Sequence, residues 1–276
     1  MIPHSGAGVQ EWCCDMANTV RTSRAPVSSV RNAARILRSF SAAEPDLGVS
    51  ELARRLGLAK SGVSRLLSTL ASEGLVERDP ATRRYRLSIK LFELGTLVAV
   101  SGELHRAATV PMDHLHFQTS GTVQLAVLDG AEVVYIERRE SQATLVAFGT
   151  VGHRNVAHAT STGKVLLAFL PPEEARARLA ARPLAALTPY TVTDLGRLLE
   201  ELAEARRRGY AEQTGESRIG VGSIAAPIRD ASGDVAAAIS VAVPAATLTE
   251  PVRRRHAAAT MDAAAQISER LGYRAR

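Results

Sequence analysis

A glycine set between two short apolar stripes constrains this chain more than anything else in it. Leu52, Ala53 and Leu56 recur at helical spacing before Gly57, and Val63, Leu66, Leu67 and Leu70 fall at i, i+3, i+4 and i+7 after it. Ser50 suits an N-cap and Glu51 the first turn of the first helix. Gly57 suits the left-handed residue that ends it, and Leu58 supplies an apolar staple before the next helix opens in "AKSGVSRLLSTL", residues 59–70. Two short helices joined by a tight glycine turn make a helix-turn-helix.

The second helix has two unlike faces. Between its apolar positions lie Lys60, Ser61, Ser64, Arg65 and Ser68. After Gly74, Leu75–Glu77 and Tyr85–Leu87 read as strands joined by the turn Asp79-Pro80-Ala81-Thr82. This hairpin, a wing, carries Arg78, Arg83, Arg84 and Arg86. Residues 25–88 hold eleven Lys and Arg against six Asp and Glu, a balance of +5 within a chain of net charge +6. A basic module on a nearly neutral body fits a reader of a polyanion.

An α-helix fits the major groove of B-DNA, where each base pair presents a distinct edge. The second helix of a helix-turn-helix lies there with its N-terminal residues nearest the bases. Short hydroxyls at Ser61, Ser64 and Ser68 let the backbone approach, Arg65 suits guanine or phosphate, and Lys60 suits a phosphate. The wing residues Arg78, Arg83, Arg84 and Tyr85 complete the expected interface with a double-stranded operator. A polar face that is merely solvated is the plainer alternative, and the arginine hairpin and concentrated charge weigh against it. A protein-interaction adaptor that grips a partner through the same winged helix is the rival from another class. Salt dependence separates the two, because phosphate contacts release counterions.

The remaining chain supplies further expectations. Residues 1–24 read as a flexible N-terminal arm, 25–88 as the winged helix-turn-helix, 89–117 as a linker helix split or kinked at Pro111, and 118–276 as a second domain. Upstream, Val30, Ala33, Ala34, Leu37 and Phe40 form a helical stripe. In the body, "TVQLAVLDGAEVVYIERRE" is a hairpin on Asp129-Gly130, a strand is expected at about 144–148, and "STGKVLLAFL" opens a helix. A helix at 173–181, a helix capped by Asp194 and stopped by Gly209, strands near 223–229 and 235–243, and a final helix from about 249 to 271 follow. Strands meeting by hairpins with helices between them make an α+β fold with an antiparallel sheet.

Composition excludes several classes. With 46% hydrophobic and 22% charged residues the chain is not broadly disordered, and 4% aromatics leave little for a base-stacking platform. Cys13 and Cys14 are the only cysteines and are adjacent, so they build neither a disulfide framework nor a CxxC knuckle. No stretch approaches the ~18 uninterrupted apolar residues of a membrane span, so no membrane partner and a cytoplasmic location are expected.

Five blocks carry a resemblance to a known family. They are "SELARRLGLAKSGVSRLLSTLASEGLVERDPATRRYRLS", "AVLDGAEVVYIER", "HATSTGKVLLAFL", "RRRGYAEQTGESRIGVGSIAAPI" and "AAISVAVP", in order between Val27 and Leu271. The chain resembles the IclR family of bacterial transcription regulators. The resemblance implies a winged helix-turn-helix, a linker helix and a GAF/profilin-like effector-binding domain. It implies homodimers, in some members tetramers, acting as repressor or activator under control of a small organic or aromatic acid, with no cofactor and no enzymatic activity. It places the effector site at Thr144, Ala147, Asn155, Ser161, Thr162, Gln213, Ser223, Ser240 and Ala242, and the helix start at residues 160–163 adds Thr160 and Gly163. Relatives often carry Cys at position 223, an acidic residue around 213 and bulkier side chains near 144 and 147, which implies a roomier, more polar pocket here. One point stands without the resemblance: residues 160–163 open a helix, whose free N–H groups favour a carboxylate. A simple cap by Thr160 or Ser161 is the alternative, and both roles are compatible.

Rival chemistries fit poorly. "HATSTGKV" resembles a phosphate loop, yet the first Gly of GxxxxGK[ST] falls on His158 and Val165 replaces the hydroxyl. His114 and His116, at i and i+2, diverge on a helix, so no metal is expected. His153 and His158 either line the pocket or are ordinary loop histidines. Neither Ser161 nor Ser223 has a base partner readable from the sequence.

Overall fold

The computed structural model describes residues 27–41, 43–100, 102–141 and 151–274. They form two compact units divided between Leu94 and Gly95.

In the first unit, α1 (Ser28–Leu37), α2 (Val49–Leu56) and α3 (Lys60–Ser72) pack together beside a hairpin of β1 (Val76–Arg78) and β2 (Tyr85–Leu87). Gly57 ends α2 with φ +66, the left-handed conformation expected of it. Helix α2 begins earlier than expected: Gly48 is its N-cap, and Ser50 lies in the first turn. The core joins Ile36, Leu47, Leu52, Val63, Leu67, Leu70, Val76 and Tyr85. Burying each large side chain contributes roughly 1.5–3 kcal/mol. In α1 the expected stripe is displaced: Ile36 is buried whereas Val30 and Ala34 are exposed.

The same unit includes the first turns of α4 (Ile89–Val100). These are tied to the end of α3. The Ser88 hydroxyl donates to the Gly74 carbonyl, and Lys90 Nζ donates to the Glu73 carbonyl at 3.1 Å. Separately, Arg35 Nη2 donates to Leu56 O at 2.8 Å, satisfying a carbonyl at the end of α2.

In the second unit, α5 (Glu103–Thr119) starts after Gly102, so the helix break precedes Pro111, which lies inside α5. Proline lacks an N–H and leaves the carbonyl four residues back without its helical partner. That carbonyl, Ala107 O, accepts from Arg270 Nη1 at 3.2 Å. The donor belongs to α9 (Glu250–Arg270), which packs along α5.

The sheet of this unit has, among the described residues, six antiparallel strands. Hairpin β3 (Thr122–Asp129) and β4 (Glu132–Arg139) comes first, followed by the short β5 (Arg154–Val156), β6 (Ala211–Thr214), β7 (Val221–Arg229) and β8 (Val235–Pro244). Their spatial order is β5-β4-β3-β8-β7-β6. The strand expected near 144–148 lies outside the described residues.

Alternation divides the sheet into two unlike faces. Val123, Leu125, Ile224, Ile228, Ile239 and Val241 join α5 and α9 in one core. Ala126, Ala211, Ala225 and Ala238 face the other way and join α6 (Ser161–Ala168), α7 (Pro172–Ala180) and α8 (Leu195–Arg208) in a second. These small side chains let α6 lie close to the strands, and every residue of α6 is buried. Its capping follows the sequence: the Thr160 hydroxyl accepts from Gly163 N at 3.1 Å. Asp194 likewise caps α8, and Gly209 ends it.

Candidate DNA-reading face and effector cavity

Helix α3 sorts its side chains as its spacing dictates. Val63, Leu67 and Leu70 are buried, and Lys60, Ser61, Ser64, Arg65 and Ser68 are exposed on the opposite side. Thr69 is also exposed, but its hydroxyl is turned back onto Arg65 O at 3.1 Å.

The wing arginines are not equivalent. Arg86 pairs with Glu77 across the hairpin at 2.9 Å. Arg84 holds Asp46 O at 2.6 Å and Glu51 at 3.0 Å, linking the wing to the start of α2. Arg78 lies 5.9 Å from the centre of the Tyr85 ring. Arg83 stands at the wing tip with φ +57 and has no carboxylate partner among the described residues. The turn itself is held by Asp79 Oδ1, which accepts from Ala81 N and Thr82 N at 2.7 and 3.2 Å. Those backbone donors hold the Asp79 carboxyl below its ordinary pKa.

Tyr85 corrects an expectation. It is 5% exposed, and its backbone exchanges two 2.9 Å hydrogen bonds with Leu47. Its ring serves the core because residues on a strand alternate sides, and position 85 falls on the inner one. Of the residues expected at the interface, Lys60, Ser61, Ser64, Arg65, Ser68, Arg78 and Arg83 stay open to a ligand. Arg84 is also exposed, but its Nε and Nη2 are engaged by Asp46 O and Glu51.

The second unit contains a cavity of about 90 Å³ between the α6 end and the sheet. Gln124 of β3, Tyr135 of β4, Asn155 of β5, Gln213 of β6, Ser223 of β7, and Ser240 and Ala242 of β8 line it, with Thr160 and Ser161 at the helix start. His153, Ser217 and Arg218 complete the wall. Register explains the convergence. Gln213 lies opposite Ser223, Ser223 opposite Ala242, and Ser240 opposite Gln124, so one face receives them all. The lining of the cavity is mostly polar, and hydrogen bonds link several of its wall residues.

Those bonds form a chain. Glu216 N donates to Gln213 Oε1 at 2.9 Å, Gln213 Nε2 donates to Ser223 Oγ at 2.9 Å, and Ser223 Oγ lies 2.8 Å from Ser161 Oγ. Asn155 Oδ1 accepts from Val156 N at 2.9 Å, which leaves its NH₂ as donor. The Tyr135 ring lies parallel to that of His153, with centres 6.5 Å apart. Burial raises the Tyr135 pKa, opposed by a hydrogen bond with Thr162, so the phenol is neutral. The N–H groups of Ser161 and Thr162 precede the point where intrahelical bonding begins.

Seven of the expected effector residues therefore meet at one cavity: Asn155, Thr160, Ser161, Gln213, Ser223, Ser240 and Ala242. Thr162 and Gly163 do not line it. Thr162 supports Tyr135 from behind, and Gly163 is pressed against the 3-10 turn Ala157–Ala159. Thr144 and Ala147 lie outside the described residues. Gln124, Tyr135, Ser217 and Arg218 were not foreseen; a Gln inside the apolar run "TVQLAVL" was the available signal for the first. His153 lines the cavity, whereas His158 is buried with Nε2 at 3.0 Å from Ala185 O.

The phosphate-loop likeness has a different use. Lys164 is 3% exposed and binds Glu201 at 2.8 Å and Glu216 at 2.5 Å, so its charge is already neutralised. Among the described residues no three His, Cys, Asp or Glu side chains are placed to hold a metal ion. No helix among them is long and apolar enough to cross a membrane.

The described site can be set beside known proteins. Residues 29–80 match the IclR helix-turn-helix domain, and residues 96–269 match the C-terminal domain of the bacterial transcriptional regulator IclR. The chain belongs to the IclR family. It is a DNA-binding transcriptional regulator with an effector-binding C-terminal domain, in a family of regulators rather than enzymes. The HTH-type transcriptional regulator KdgR of Dickeya chrysanthemi is 34% identical over 90% of this chain and 81% of its own length. A putative IclR regulator from Silicibacter sp. TM1040 superposes with TM-score 0.78 at 30% identity, covering 90% of this chain and 98% of that one. An IclR homologue from Microbacterium hydrocarbonoxydans, solved with 4-hydroxybenzoate, gives 0.77 at 30% identity over 88% of this chain and 98% of its own.

Proposed function

We propose that this IclR regulator reads duplex operator DNA with the exposed face of α3 and the wing, and that a compact polar carboxylic acid in the 90 Å³ cavity modulates that binding. The observation that carries the DNA reading is the separation of Lys60, Ser61, Ser64, Arg65 and Ser68 from the buried stripe of the same helix. Arg65→Ala is expected to weaken specific operator binding by about 1–3 kcal/mol, the value of one base contact. Fluorescence anisotropy on operator and random duplexes measures it; equal affinities for parent and variant would remove Arg65 from the interface. Arg83→Ala is expected to weaken binding to all sequences alike and to reduce the salt slope by about one.

The ligand class follows from the lining. Asn155 NH₂, Arg218 and the first N–H groups of α6 are donors, and a carboxylate answers them. Pockets for larger ligands commonly measure about 300–1,000 Å³. The small volume here favours an acid of few non-hydrogen atoms over a bulky aromatic one. Titration of an operator complex with small carboxylates, read as release or tightening, tests this.

A homodimer is part of the same proposal. Ile89 and Phe92, three residues apart on one face of α4, are 67% and 68% exposed. A second copy of the helix would cover that face. Sedimentation of the parent and of Phe92→Glu distinguishes a dimer from a monomer, and a tetramer would require a further surface.

A further inference from the structure

We propose that Gln213 fixes the number of hydroxyl protons the cavity can offer, and so makes it select ligands through an acceptor atom. This rests on the effector reading above and deepens it.

The argument is a count of protons. The Glu216 backbone N–H has only a proton to give, so the Gln213 atom 2.9 Å from it is the oxygen. The other amide atom is then the nitrogen, and it donates to Ser223 Oγ at 2.9 Å. Ser223 and Ser161 own two hydroxyl protons between them. One lies in their 2.8 Å contact, whichever serine supplies it. Because Gln213 donates into the pair and takes nothing from it, the second proton is left over. The pair therefore presents one spare O–H to the cavity.

An acceptor at position 213 reverses the chain. A glutamate there would take the Ser223 proton, Ser223 would take that of Ser161, and none would remain. The cavity would then show a lone pair where it had shown a donor. The amide does not swing to escape this role. Gln213 is buried and lies opposite Ser223 in the ladder. Glu216, which holds its oxygen, is itself held by Lys164 through its carboxylate and by the Thr188 and Thr191 hydroxyls through its carbonyl.

The test uses the full chain and two probes, acetate and acetone, followed by amide chemical shifts at Ser161 and Ser223. Acetone is neutral and accepts only, so it reports proton supply without the effect of charge. Gln213→Glu is expected to bind acetone about fivefold more weakly, the value of one hydrogen bond, and acetate more weakly still. Weaker acetate binding with unchanged acetone binding would mean that charge alone acts, and would overturn the proposal. So would the absence of any acetone response in the parent chain. A serine variant supplies an independent check. In Ser161→Ala the Gln213 amide still donates to Ser223, whose own proton becomes the spare one, so acetone binding is expected within about twofold of the parent; a loss of about fivefold would contradict the count. Operator affinity with and without acetate is a separate readout: if the probe binds and the affinity does not move, the effector reading fails for acetate while the proton count stands.

Discussion

Gly163→Ala is expected to destabilise the second unit by about 3 kcal/mol or more, at or beyond the upper end of ordinary overpacking. A Cβ at this position would stand 2.2 Å from Ala157 O and 2.3 Å from Ala157 Cα. Those are backbone atoms of the turn that leads into α6, so no side-chain rotation relieves the contact. To make room, α6 must lift from the sheet, and the cavity at its start opens with it. The same change at Gly62 has the opposite expected sign. Its Cβ would meet nothing within 4 Å, and alanine favours a helix over glycine by up to about 1 kcal/mol. Chemical denaturation followed by circular dichroism, with methyl signals of Leu67 and Ile239 as reporters of each unit, measures both. A Gly163→Ala chain whose second unit unfolds at the parental midpoint would refute the close approach.

Lys164→Ala carries the second large effect, about 3–5 kcal/mol, the usual cost of stranding a buried charge. Lys164 lies between Glu201 and Glu216, and its removal leaves the well-buried Glu216 without its cation. The pairing of Lys164→Met with Glu216→Gln removes both charges and is expected to recover most of the loss. Denaturant midpoints for the two variants decide the matter. If Lys164→Met/Glu216→Gln is as unstable as Lys164→Ala, packing rather than charge accounts for the damage.

Much of the architecture was legible because it depends on neighbours in sequence. The α3 stripe, the Gly57 ending, the Asp79 turn and the Asp194 cap all rest on spacings of a few residues, and the structure places them as read. The misread features depend on distant partners. Arg84 looked free because Asp46 and Glu51, which engage it, lie more than thirty residues away. Tyr85 looked like a surface aromatic because its bridge to Leu47 is not local. In the cavity, the family resemblance located Gln213, Ser223 and Ser240, whereas Gln124 and Tyr135 were hidden in ordinary strand alternation. Only the register that sets β3 beside β8 brings Gln124 to the same wall as Ser240. Pro111 shows the same limit: a proline in a helix suggests a break, and Arg270 of a remote helix makes the break unnecessary.

The ties between Ser88 and Gly74 and between Lys90 and Glu73 have a mechanical meaning. They weld the root of α4 to the tail of α3, so a twist imposed on the one arrives at the other as rotation, not slack. A force that turns this shaft would swing Lys60, at the far end of α3, through the widest arc and Arg65, near its middle, through a smaller one, and a small angle already shifts which base edge each meets.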